Sequence, residues 1–173
     1  MNNTIVQKKI CLLGDFGVGK TSLVRRFVED RFEDKYLTTI GVKISRKTIE
    51  RPYGSMNMLI WDLAGSTGFD SFTNPSYMQG TAGAAIVCDI TRRETLTIVA
   101  EYARQARIMN PKIHLVFVCN KADLAGTRVI SDPEIASVSS TFGDGTFFLT
   151  SARTGERVED VFFTLAEKID ARP

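Results

Sequence analysis

The sequence predicts a three-layer α/β fold, a six-stranded and mostly parallel sheet with helices on both faces. Three observations carry that expectation. Short runs rich in branched and aromatic residues alternate with stretches of helical spacing from one end of the chain to the other. The helical stretches are long enough to serve as the crossovers that parallel strands require. One pair of runs is joined instead by a short link containing Pro52 and Gly54, the mark of a single antiparallel hairpin.

The elements follow in chain order. Ile10–Leu13 is a brief apolar strand ending at Gly14, and Lys20–Glu29 carries helical spacing. Val42–Ile49 and Met56–Asp62 form the hairpin. Ala84–Asp89 is a buried strand, followed by a helix over Arg92–Met109 that Asn110-Pro111 stops. Thr91-Arg92-Arg93-Glu94 fits a capping box at its start, in which side-chain oxygens satisfy the unpaired N–H groups of the first turn. Ile113–Asn120 is the fifth strand. Ser131-Asp132-Pro133-Glu134 is a second capping box, opening a helix over Pro133–Ser140 with proline in its first turn. Thr146–Thr150 is the last strand, and Arg157–Ile169 the last helix, with Val158, Val161, Phe162, Leu165 and Ile169 on one face.

Composition narrows the function classes. The chain has 173 residues, 43% of them hydrophobic and 24% charged, with 22 Lys+Arg against 20 Asp+Glu. Those values fit one globular domain over residues 1–173 and exclude a collagenous or disordered chain. The longest apolar stretches, Ala84–Cys88 and Leu115–Cys119, are far shorter than the roughly 20 residues of a membrane-spanning helix. Met1-Asn2-Asn3-Thr4 offers neither a secretory signal nor a myristoylation site, so a cytoplasmic chain is expected, with a monomer as the default. Cys11, Cys88 and Cys119 suit buried reduced thiols, and without a CxxC pair zinc is not expected. A net charge of +2 names no nucleic acid and no anionic membrane as partner.

The strongest local signal is Gly14-Asp15-Phe16-Gly17-Val18-Gly19-Lys20-Thr21, a GxxxxGKT placed directly after a strand and opening a helix. Glycines let the backbone curl until several N–H groups point at phosphate oxygens, and the helix N-terminus adds partial positive charge. Lys20 reaches the β and γ phosphates, and Thr21 ligates Mg²⁺. Asn120-Lys121-Ala122-Asp123 then follows the fifth strand. A carboxylate there accepts two hydrogen bonds from the N1–H and 2-amino group of guanine, which adenine cannot supply, making Asp123 the specificity residue. Asp62, at the end of an apolar strand, is placed to hold a water on Mg²⁺, and the N–H of Gly65 to approach a γ-phosphate.

With these motifs the chain resembles the Ras superfamily of small GTPases, most nearly the Rab family, whose fold is the small G domain of the P-loop NTPases. Tyr36-Leu37-Thr38-Thr39-Ile40-Gly41-Val42 is similar to switch I, Trp61-Asp62-Leu63-Ala64-Gly65 to the start of switch II, and Ser151-Ala152-Arg153 to the last guanine motif. The resemblance implies GTP or GDP as ligand with Mg²⁺ on Thr21, Thr39 and Asp62. It implies nucleotide contacts from Asp15, Phe16, Gly17, Val18, Gly19, Lys20, Thr21 and Ser22, and from Phe32, Tyr36, Thr39 and Gly65. At the base it implies Asn120, Lys121, Asp123, Leu124, Ser151, Arg153 and the backbone N–H of Ala152. For Phe32, stacking on the guanine competes with packing in the core. Lys20, Thr39, Gly65 and Ser66 are the expected catalytic set, and effector, exchange and activating proteins the expected partners through the two switches.

Three departures from the family pattern stand out. Ser66 occupies the place of the glutamine that orients the attacking water, and Ser66-Thr67-Gly68 also removes the acid and base that commonly follow, leaving Phe69 as the packing residue of switch II. Phe16 replaces a small residue beside the γ-phosphate, where its ring either crowds an incoming arginine or turns outward as a shield. Asp170-Ala171-Arg172-Pro173 holds no cysteine for a prenyl anchor. The expectation is a molecular switch hydrolysing GTP slowly; the alternative is a GTP-binding scaffold with negligible turnover. A nucleoside kinase would need a base site without Asp123 and a lid for which no insertion is long enough.

Overall fold

The computed structural model describes residues 4–35, 39–65 and 75–171. In chain order its elements are β1 (Val6–Gly14), α1 (Lys20–Glu29), β2 (Val42–Arg51), β3 (Gly54–Leu63), β4 (Thr81–Asp89), α2 (Glu94–Met109), β5 (His114–Asn120), α3 (Asp132–Phe142), β6 (Phe147–Leu149) and α4 (Val158–Asp170). The six strands lie in the order β2-β3-β1-β4-β5-β6. Every neighbouring pair is parallel except β2 with β3, the expected hairpin. Among the described residues no helix is long and apolar enough to cross a membrane.

Alternation along the strands sends side chains to two separate cores. Ile10 and Leu12 of β1 join Leu23, Phe27, Phe162 and Leu165 of α1 and α4 on one face. Cys11 and Leu13 join Val99, Tyr102, Ala103 and Ile135 of α2 and α3 on the other. All three cysteines are buried and free, and Cys88 stands in register with Cys119 across β4 and β5. The largest fully buried side chain is Phe162, 1% exposed. Its ring lies parallel to that of Phe27 with centroids 4.1 Å apart, so it joins the two helices over the sheet. Phe162→Ala is expected to lower stability by about 3–5 kcal/mol, the usual cost of emptying a buried aromatic site, measured as a shift of the urea midpoint at unchanged slope.

The capping box at Ser131 forms: its hydroxyl accepts from the N–H of Glu134, while the Glu134 carboxylate accepts from the N–H of Ser131 at 2.8 Å. The box expected at Thr91 does not. Asp89 Oδ1 takes both the N–H (2.8 Å) and the hydroxyl (2.6 Å) of Thr91, and α2 begins at Glu94 behind Arg93, with no side chain capping it. A buried carboxylate two residues back outcompetes the local cap. β1 starts four residues earlier than its apolar run, because Val6–Lys9 pair with β3 although three of the four are polar. Two short 3-10 turns, Pro75–Tyr77 and Ala122–Thr127, carry no period to announce them.

Parallel strands put their carboxyl ends at one edge, so the loops after β1, β3, β4, β5 and β6 emerge together. That crevice is where ligands meet open α/β sheets.

Candidate functional site

A cavity of about 320 Å³ opens at this edge, within the range of small-molecule pockets. One wall is the loop after β1 with the first turn of α1. Gly17 and Gly19 hold φ of 74° and 100° there, a left-handed backbone natural to glycine. A Cβ on Gly19 would stand 2.3 Å from Asn120 Nδ2, so the loop closes onto β5 only because that atom is missing. α1 starts behind Gly19 with no side chain capping it, leaving the N–H groups of its first turn without a side-chain acceptor. Such a terminus favours an anion.

Lys20 is the cation of this wall. Only 7% exposed, it donates from Nζ to the carbonyls of Gly14 (2.8 Å) and Asp15 (3.0 Å). Burial pushes its ammonium down to about 8, against the opposing charges of Asp62 and Asp15. Beside it, Thr21 Oγ1 lies 2.6 Å from Thr39 Oγ1 and donates to Asp62 Oδ2 at 2.5 Å. Asp62 is 1% exposed, and its Oδ1 has no hydrogen-bond partner among the described residues. Burial raises its carboxyl above the usual range, although the Thr21 hydrogen bond and the charge of Lys20 pull the other way. Two hydroxyls and an under-satisfied buried carboxylate are hard oxygen donors, a set that fits Mg²⁺.

The opposite end is wired by side chains reaching to backbone. Asn120 donates from Nδ2 to the Val18 carbonyl (3.0 Å), and its Oδ1 accepts from Thr150 Oγ1 (3.1 Å) and the N–H of Ala152 (3.3 Å). Ser151 Oγ donates to Asp123 Oδ1 at 2.7 Å and accepts from the N–H of Thr154, fixing the exposed carboxylate at the rim. Lys121, with φ of 70°, turns its ammonium to Asp89 Oδ2 at 2.8 Å. Burial alone would raise the Asp89 carboxyl, but hydrogen bonds from Lys121 and Thr91 outweigh it and hold it below its ordinary value.

Most of the expected residues therefore meet in one place. Phe16, Gly17, Gly19, Lys20, Thr21, Ser22, Phe32, Thr39, Gly65, Asn120, Lys121, Asp123, Leu124, Ala152 and Arg153 all line the cavity. Phe32 lines the cavity and also packs against the α1/α4 core. Asp15, Val18 and Ser151 stand behind the walls: Val18 is a core side chain, Ser151 is fully buried, and Asp15 accepts from the Phe16 N–H (2.7 Å) and from Arg92 (3.3 Å). The Phe16 side chain is 38% exposed at the mouth. Tyr36, Ser66 and Phe69 lie outside the described residues. Arg25, Glu33, Asp34 and Lys35 also line the cavity, and Arg92 holds the Phe16 carbonyl at 2.8 Å. None of these five belongs to a nucleotide motif; Arg25, Glu33, Asp34 and Lys35 are marked in the sequence only by closeness to the loop or switch I, and Arg92 by nothing that points to the site.

The family model described as "Ras family" matches residues 9–171. Among curated proteins the chain is 36% identical over 169 residues to "Ras-related protein Rab-22A" of Mus musculus, covering 95% of this chain and 86% of that protein. It is 35% identical over 168 residues to "Ras-related protein SEC4" of Saccharomyces cerevisiae, covering 94% and 77%. With "Ras-related protein RIC1" of Oryza sativa the identity is 34% over 165 residues, covering 95% and 81%.

Proposed function

Because the chain belongs to the Ras family of small GTPases and is similar to its Rab-related members, we propose that it is a molecular switch that binds GTP and GDP with Mg²⁺ and hydrolyses GTP slowly to GDP and phosphate. The observation that supports this reading best is the meeting, in one cavity, of a buried lysine, an oxygen cluster at Thr21, Thr39 and Asp62, and an exposed carboxylate braced by Ser151. Phosphates lie on the loop N–H groups and the first turn of α1, with Lys20 against the β and γ phosphates. Mg²⁺, when bound, neutralises phosphate charge and is held by Thr21, Thr39 and Asp62. Asp123 and the N–H of Ala152 read the guanine, while Phe32 covers its face. Thr39 and Gly65 contact the γ-phosphate, so its loss releases both switches and changes the surface offered to effector, exchange and activating proteins.

Hydrolysis depends on what positions the attacking water. Small GTPases that carry the glutamine turn over unaided at roughly 10⁻⁴–10⁻³ s⁻¹. Ser66 is too short to orient that water, so the intrinsic rate is expected at or below the bottom of this range. The experiment is to load the protein with GTP and Mg²⁺, remove free nucleotide and follow bound GTP and GDP by chromatography over hours. Faster conversion overturns the assignment of slowness to Ser66. Ser66→Gln is expected to raise the single-turnover rate by about tenfold or more. No gain would favour the second reading, a GTP-binding scaffold, which the bulky Phe16 at the cavity mouth supports.

A further inference from the structure

One arginine that belongs to no motif is built into the base end of the cavity from below. Arg26 lies on α1, the helix whose first turn forms the phosphate end, and its side chain is 18% exposed. Its Nε donates to the carbonyl of Ala152 at 2.9 Å and its Nη2 to the carbonyl of Arg153 at 2.6 Å. These two nitrogens are one edge of the planar guanidinium, so two successive peptide groups of the loop after β6 are gripped by a rigid fork. Nη1 reaches back to the carbonyl and carboxylate of Asp30, both at 3.5 Å, at the end of the same helix. The stem of Arg26 also touches the loop: a Cβ built on Gly155 would lie 3.6 Å from its Cδ.

The loop it grips is otherwise closed on itself. The N–H of Gly155 donates to the Ser151 carbonyl (2.8 Å), and that of Ser151 to the Glu156 carbonyl (3.1 Å). Ala152 is buried in the core, Asn120 and Asp123 hold the Ala152 N–H and the Ser151 hydroxyl, and Arg26 fixes the carbonyl side of the turn to α1. Ala152 is held on both sides of its residue: the N–H faces Asn120 and the carbonyl faces Arg26. Rotating the loop to present the Ala152 N–H differently would break the fork.

We propose that Arg26 is a positioning residue for base recognition: it sets the Ala152 N–H, which Asn120 Oδ1 shares at 3.3 Å, so that the site selects a purine with an oxygen at position 6 and retains it. The inference rests on the guanine-nucleotide reading above and goes beyond it by naming the group that aims one of its donors. Arg26 itself touches no ligand. It acts through the backbone of Ala152 and Arg153, and loss of the fork leaves two backbone carbonyls unpaired and the loop free to turn.

The test uses Arg26→Ala and Arg26→Lys in the full chain. Release of a fluorescent GDP analogue is followed after a chase, with Mg²⁺ present and with Mg²⁺ chelated. Competition then measures GDP against the diphosphate of 2,6-diaminopurine riboside, which keeps the 2-amino group but carries a donor at position 6 and, like adenine, a bare N1; the N1 mismatch at Asp123 is common to parent and variant, so the change in preference between them reads position 6. Arg26→Ala is expected to speed release about tenfold in both metal conditions and to narrow the preference for GDP by a similar factor. Arg26→Lys is expected to restore little of either, since a single ammonium cannot hold two carbonyls as a fork does. Release and preference within twofold of the parent overturn the assignment, as does faster release with an unchanged preference, which marks a merely structural role. Should Arg26→Ala fail to fold, the same two readings on Arg26→Lys decide the matter. A parent protein that does not retain GDP at all overturns the nucleotide reading and the assignment with it; a parent that retains GDP beside an unaffected variant overturns the assignment alone.

Discussion

Asp123→Ala is expected to erase the preference for guanine over adenine nucleotides, a loss of about 10⁴-fold in discrimination. The magnitude follows from what the carboxylate would otherwise face. Asp123 is held at the cavity rim by the Ser151 hydroxyl at 2.7 Å. In the proposed complex its remaining lone pairs accept the N1–H and 2-amino protons of guanine. Adenine brings a bare N1 to the same place, leaving a charged acceptor desolvated and unpaired, and it is this mismatch that separates the two bases. Competition of GDP and ADP against a labelled guanine nucleotide measures the ratio. A ratio unchanged by the substitution would place base selection elsewhere and reopen an adenine-nucleotide reading.

The second large effect is expected at Lys20. Lys20→Ala should weaken GDP binding by about 10³-fold, the scale on which removal of one partner from a buried, hydrogen-bonded charge pair acts. The wild-type side chain is almost fully enclosed, with its ammonium between two loop carbonyls. Burial has already lowered its affinity for a proton, and phosphate oxygens would stabilise the charged form that the cavity alone disfavours. Lys20→Arg is not expected to rescue binding, because a planar fork does not fit where a compact point charge sits among Gly14, Asp15 and Asp62. Titration of each variant with a fluorescent GDP analogue reads the effect directly; affinity within tenfold of the parent would remove Lys20 from the phosphate site.

What made the fold legible was periodicity. The α1 helix at Lys20–Glu29 and the hairpin of β2 and β3 stand where the residue pattern puts them, because both are decided by neighbours close in the chain. The motifs were legible for the same reason: each places its glycines, lysine or carboxylate within a few residues. Contacts that join distant segments left no such trace. The fork of Arg26 spans more than a hundred residues to Ala152, and the grip of Arg92 on the Phe16 carbonyl more than seventy. Both end on backbone carbonyls, which every residue type supplies, so no partner in the sequence is marked. Thr91 shows the reverse error, since its local cap pattern is sound but a fold-imposed carboxylate at Asp89 takes its hydroxyl first.

The strand order leaves β2 and β6 at the two margins of the sheet. A margin offers unpaired N–H and C=O groups on which another extended chain can template itself. β6 spans only three residues and gives little length for such templating. β2 is long, but Lys43, Arg46 and Glu50 are exposed along it, so an extended chain aligned there must strip water from charged side chains. The margin nearest switch I is thus guarded by charge against indiscriminate pairing, while still open to a strand that carries the complementary pattern.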